Sequence, residues 1–74
     1  MPYNSTAFGI TVSRLRIRRG LSQEKLSGLA GISRSHLAMI ENGKKTVRLD
    51  TLWRIADALR IAPHELINMV ERTE

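Results

Sequence analysis

Apolar side chains recur along this chain at intervals of three and four residues, and no stretch alternates as a half-buried strand does. Phe8, Val12 and Leu15 share one helical face and predict a first helix over residues 6–19, which Gly20 ends. Arg14, Arg16, Arg18 and Arg19 crowd its last turns, where cations also suit the helix dipole. Ser22 has the character of an N-cap for a second helix over 23–30, closed by Gly31. Ser33 repeats that signal for a third helix over 34–42, closed by Gly43. Residues 44–48 read as a basic loop. Leu49, Leu52, Ile55, Ala56 and Leu59 then form an apolar stripe and predict a fourth helix over 49–59. Pro63 suits the first turn of a fifth, over 63–71. The pattern therefore predicts an all-α fold of five helices, with frayed ends at residues 1–5 and 72–74.

Seventy-four residues allow one domain, 1–74, with an ordered core over about 6–71. The chain has no cysteine, so neither a disulfide framework nor a thiolate metal site supports it. Net charge is +5, and it is unevenly spread. Residues 1–45 hold eight Lys or Arg against two acids; residues 46–74 hold four against five. One half is suited to a polyanion and the other is not, although charge asymmetry alone also describes a solvated surface. No run approaches the roughly 20 apolar residues of a membrane span. The start, Met1-Pro2-Tyr3-Asn4, lacks the basic and apolar regions of a signal peptide, so a cytoplasmic protein is expected.

Residues 22–42 hold the informative spacing: two short helices joined by a turn containing Gly31, as in a helix-turn-helix. Such a turn needs a left-handed residue, which glycine supplies without strain. Small Ser27 and Ala30 permit a close helix crossing, while Ile32, Leu37 and Ile40 anchor the second helix inward. Arg34, Ser35, Ala38 and Met39 then remain to face a groove.

Leu15-Arg16, Arg19-Gly20-Leu21-Ser22-Gln23, Leu26, Ala30-Gly31-Ile32-Ser33, Ile40-Glu41-Asn42-Gly43, Leu52, Ile55-Ala56, Ala58-Leu59 and Glu65-Leu66 occur in one order and spacing. This set resembles the lambda-repressor/Cro (XRE) type of helix-turn-helix protein over about residues 8–68. The resemblance implies a transcription regulator that binds double-stranded DNA as a homodimer on a pseudo-palindromic operator. Its second motif helix would lie in the major groove. It further implies that Arg34, Ser35, Ala38 and Met39 read bases and that Gln23, Asn42, Lys44 and Lys45 hold phosphates. Arg16 and Glu41 match an internal salt bridge of the family. Small controller proteins of restriction–modification systems and phage-type repressors share this standalone architecture, with RNA polymerase as a possible further partner.

Some residues depart from the family pattern. Gly28 sits mid-helix, where it costs about 1 kcal/mol against Ala. Leu29 is apolar where a polar residue is usual. Arg60 replaces a glycine, so a left-handed cap there would be strained. Arg48 and Ala62 stand where capping Ser or Asp is usual. Helices 4 and 5 are thus expected to lean on a neighbour. Trp53, Ile67, Met69 and Val70 supply surplus apolar surface for a homodimer there, unless Ile67 and Val70 merely close the core. An antitoxin of the same fold, masking a toxin through Leu29 or the last helix, is the rival reading.

Other chemistry finds little support. Arg34, in the first turn of such a helix, is placed for guanine more than as a plain solvated charge, whereas Met39 reads equally as core filler or as a thymine-methyl contact. His64-Glu65 lacks the second histidine that a zinc-protease helix needs; Asn68 stands there. His36 has no second ligand at helical spacing. With no Gly-rich phosphate loop and no nucleophile–base arrangement, neither an enzyme nor a cofactor or metal is expected.

Overall fold

The computed structural model describes residues 4–73 and holds five helices and, among those residues, no strand. Helix α1 spans Ser5–Arg18, α2 Gln23–Ala30, α3 Arg34–Glu41, α4 Leu49–Ala58 and α5 Pro63–Arg72. Arg19, Asn42 and Leu59, expected as last helical residues, are caps instead. The ends are better tied than expected. Asn4 Oδ1 accepts from Ala7 N at 3.0 Å and starts α1. At the other end the Thr73 and Thr11 hydroxyls lie 2.8 Å apart, each also within reach of a carbonyl of its own turn, Met69 O and Ala7 O. Of the ends expected to fray, residues 1–3 and 74 lie outside the described residues.

A single buried cluster draws on all five helices, with Phe8, Val12, Leu26, Leu37, Ile55 and Leu66 among its members. Truncating such a side chain to alanine costs about 2–5 kcal/mol. One expectation fails on α4. Leu49 is 67% exposed, and Thr51 is buried in its place. Thr51, Ile55 and Leu59 follow one another at four-residue spacing, so the inward line runs through the threonine. Leu49 is the first residue of the helix, with no preceding turn to cover it.

Helices α1 to α4 end alike, with an N–H bonded back to the carbonyl five residues earlier: Leu21 to Arg16, Ile32 to Ser27, Lys44 to Met39 and Ile61 to Ala56. The closure needs a left-handed residue, and glycine provides it three times. On α4 it is Arg60, at φ 63°, at a cost of roughly 1–2 kcal/mol. Arg48 and Ala62 give no side-chain cap to α4 or α5, as their types imply. Glu65 restores half of one, its Oε1 accepting from Ala62 N at 2.8 Å.

Helix α3 lies on α1 at backbone contact. A Cβ on Gly9 would collide with the carbonyl oxygens of Ile40 and Glu41. One on Gly43 would fall 2.9 Å from Thr6 Cα, where Ser5 Oγ also donates to Gly43 O at 3.0 Å. Gly28, by contrast, would meet nothing within 4 Å. The two helix-interior glycines should therefore respond oppositely to alanine. Gly28→Ala should stabilise by up to about 1 kcal/mol. Gly9→Ala should destabilise by roughly 1–3 kcal/mol despite the same intrinsic gain, because the neighbour is backbone and cannot turn aside. Urea melts of both variants check this; shifts of the same sign would contradict the crossing.

Candidate nucleic-acid interface

The two serines begin α2 and α3 in the same way. Ser22 Oγ accepts from Lys25 N and Ser33 Oγ from His36 N, each at 3.0 Å. Gly31, at φ 72°, turns the chain between them. Leu37 and Ile40 are wholly buried and set the inner face of α3, with Ile32 half-buried beside the core. Helical periodicity then puts Arg34, Ser35, Ala38, Met39 and the cap residue Asn42 on one outer arc. Arg34, Ser35, Met39 and Asn42 are exposed and Ala38 is half-buried. His36 is half-buried on the flank.

Glu41 fixes the rotation of that arc. Arg16 Nε donates to Glu41 Oε2 at 2.8 Å and Arg16 Nη2 to Oε1 at 3.2 Å. The third guanidinium nitrogen, Nη1, donates to Leu21 O at 2.8 Å. Gln23 Nε2 adds a bond to Glu41 Oε1 at 3.0 Å. The pair is shielded, with side-chain exposures of 14% for Arg16 and 4% for Glu41. One carboxylate therefore ties α1, the start of α2 and the end of α3 together. The sequence marks Arg16 and Glu41; the inward bond of Gln23 goes beyond what its position at a helix start suggests.

Beyond α3 the surface turns basic. After α1, α2 and α4 the residue that closes the end is apolar and packs on the core: Leu21, Ile32 and Ile61. After α3 it is Lys44, exposed and followed by exposed Lys45. Here the residue that closes the helix end is a cation in solvent and not an apolar side chain on the core. Leu29, on α2, is exposed. Of the four surplus apolar residues, Trp53 and Ile67 are exposed, whereas Met69 and Val70 are partly spent against the protomer's own core. Among the described residues no group of His, Cys, Asp or Glu could hold a metal ion, and no helix is long and apolar enough to cross a membrane.

A short exposed helix, docked through a left-handed turn onto a second short helix, defines a helix-turn-helix module. The chain belongs to the helix-turn-helix family, which matches residues 12–66. It is similar to the uncharacterized HTH-type transcriptional regulator y4dJ of Sinorhizobium fredii, 32% identical over 88% of this chain and 84% of that protein. It also resembles the restriction-modification controller protein C.AhdI of Aeromonas hydrophila. That crystal structure has 40% identity and a TM-score of 0.82, over 84% of this chain and 94% of the other. The fold is shared, at 17% identity and a TM-score of 0.86, with the controller protein C.Esp1396I, solved as a tetramer in complex with its natural 35 base-pair operator. That match covers 97% of this chain and 95% of the other.

The buried pair makes a thermodynamic cycle informative. Glu41→Ala or Arg16→Met alone should cost roughly 3–5 kcal/mol, since each leaves a shielded partner unpaired. The double variant should lose less than the sum of the two. Thermal melts of the three variants measure the coupling, and strict additivity would show that the two side chains do not support each other.

Proposed function

We propose that this chain is a sequence-specific, DNA-binding transcriptional regulator that acts as a homodimer and by binding alone. The observation that carries the reading is the outer arc of α3. Three candidate base-reading side chains, Arg34, Ser35 and Met39, are exposed, with half-buried Ala38 among them, on a helix whose other face is fixed by Leu37, Ile40 and Glu41. The operator complex of a protein of the same fold supports it, as does the controller C.AhdI at 40% identity. Arg34 suits a bidentate contact to guanine O6 and N7, and Ala38 and Met39 suit the thymine methyl. Ser35 suits a hydrogen bond to either kind of base edge. Lys44, Lys45 and Asn42 hold phosphates past the end of the helix. Gln23 joins them through its second amide N–H, the first being given to Glu41.

One short helix reads too few base pairs to mark a genomic site, and a two-fold pair solves this. Helices α4 and α5 carry the surface for it. Leu49 and Trp53 line one groove, and Ile67 is exposed on the helix packed against α4. Trp53 and Ile67 form the centre of the proposed contact, with Met69 and Val70 at its flank.

Reading and holding are separable by mutation. Arg34→Ala should cost roughly 1–3 kcal/mol and relax preference at one base pair per half-site. Lys44→Ala should weaken all sequences alike and flatten the log–log salt slope by about one unit. Binding titrations across salt, on a site obtained by selection from random duplexes, measure both. Salt-independent binding would refute the DNA reading, and uniform weakening by both variants would move Arg34 to the backbone.

The oligomer is tested by sedimentation. Wild type should form dimers at about micromolar to tens of micromolar concentration. Trp53→Glu should be a folded monomer by circular dichroism. A wild type that remains monomeric throughout this range overturns the α4–α5 interface.

A further inference from the structure

A second basic surface lies away from the recognition helix. Arg14 and Arg18 of α1 and Arg72 of α5 line a groove of about 480 Å³, floored by Leu15, Met69 and the Thr11–Thr73 hydroxyl pair. Among the described residues the ion pairs are Arg16–Glu41, Arg48–Asp50 and Arg54–Asp50, so none engages these three arginines. Helix α1 contains no acid at all. On α5, Glu71 follows one residue before Arg72 and is turned about 100° from it around the helix. Glu65 is bonded to Ala62 N a full turn and more away. Among the described residues, three guanidinium groups without an ionic partner thus surround a floor that is apolar at Leu15 and Met69.

The position argues against the operator as their ligand. Gly9 and Arg16 mark the flank of α1 that touches α3, whereas Thr11, Arg14 and Arg18 lie on the flank that meets α5. These flanks are more than a third of a turn apart around the helix axis. A duplex seated on α3 is met by Lys44 and Lys45; the groove across α1 holds arginines alone. Arginine pairs bidentately with carboxylates as with phosphates, so it is the placement on the flank of α1 away from α3, with Met69 on the floor, that favours a protein carboxylate; methionine adapts to varied apolar partners.

We propose that the α1–α5 groove docks an acidic segment of a protein partner, in which Asp or Glu side chains alternate with apolar ones. The carboxylates pair with Arg14, Arg18 and Arg72, and an apolar side chain lies against Met69. The groove would give a DNA-bound dimer an open second face for another protein.

The probe is a synthetic peptide alternating Glu and Leu, with a Gln/Leu peptide as control and duplex DNA as competitor. It is titrated into the isotopically labelled full chain and followed by amide chemical shifts. Shifts should concentrate at residues 11–18 and 69–73, and the Gln/Leu peptide should cause few. The Arg14→Gln/Arg72→Gln variant should bind the Glu/Leu peptide about tenfold more weakly, while its operator affinity and thermal melt stay near wild type. Shifts confined to α3 and the Lys44–Lys45 loop would overturn the proposal, as would unchanged peptide affinity in the arginine variant. Loss of operator affinity with a flatter salt slope in that variant would assign the arginines to DNA phosphate and overturn it equally. Because operator binding is measured on the same samples, failure of the groove and failure of the DNA-binding reading give different results.

Discussion

The position of α3 depends on one close approach, its backbone lying on α1 at Gly9. No side chain fits between the two helices there, so their separation is set by main-chain contact and not by a packable layer. Contact of this kind fixes distance but leaves rotation soft. Glu41 supplies the missing constraint. Its two oxygens receive three donors from two different segments, Arg16 and Gln23, in a site nearly closed to solvent. A buried ion pair contributes little net stability over an apolar substitute, because desolvation offsets most of the attraction. Its value here lies in direction. A bidentate carboxylate has few acceptable orientations, so α3 can present only one arc outward.

The features legible in the sequence are those in which residue type and backbone role coincide. Ser22 and Ser33 announce helix starts because their hydroxyls reach a backbone N–H, and Gly31 announces the turn because left-handed backbone favours glycine. The outer arc of α3 follows once Leu37 and Ile40 point inward. Gly9 was hidden for the opposite reason. A glycine inside a helix looks like a local defect, and only the neighbouring carbonyls show what it makes room for. Gly28 looks the same in sequence and has open space beside it, so the type alone could not separate the two. Likewise Thr51 can be buried and Leu49 exposed because position along α4, not polarity, decides which is covered. The inward bond of Gln23 depends on the rotation of α2 against α3, which periodicity within either helix does not encode.

Charge is distributed by chemistry as well as by sign. Both lysines that follow α3 stand where a point charge on a flexible stem suits a phosphate backbone. Arginines gather across α1, where a planar fork can pair bidentately with an oxyanion. The exposed apolar residues are likewise spread: Met39 on the outer arc of α3, Leu29 on α2, Ile17 among the arginines of α1, and Leu49, Trp53 and Ile67 on α4 and α5. A small domain with a single core has little interior to spare, and this one keeps its apolar surplus on faces that differ in their neighbours.

The quality of the helix ends divides along the same line. Helices α2 and α3 each begin with a serine cap and end with a left-handed glycine. Helix α4 begins without a side-chain cap and ends on a left-handed arginine, and α5 begins on an alanine. A missing cap costs about 0.5–2 kcal/mol and the arginine roughly 1–2, against a total stability of about 5–15 kcal/mol for an ordinary domain. A chain of 74 residues lies toward the low end of that range. The deficits therefore matter, and they fall on the two helices that carry Trp53 and Ile67 and spare the two of the helix-turn-helix. A contact that binds only the folded chain stabilises it by mass action. On the proposed α4–α5 dimer, the same association that aligns two reading helices also steadies the weaker half of each protomer. Folding and DNA binding would then rise together with concentration, and the response to the protein's own abundance would be steeper than a stable monomer could give.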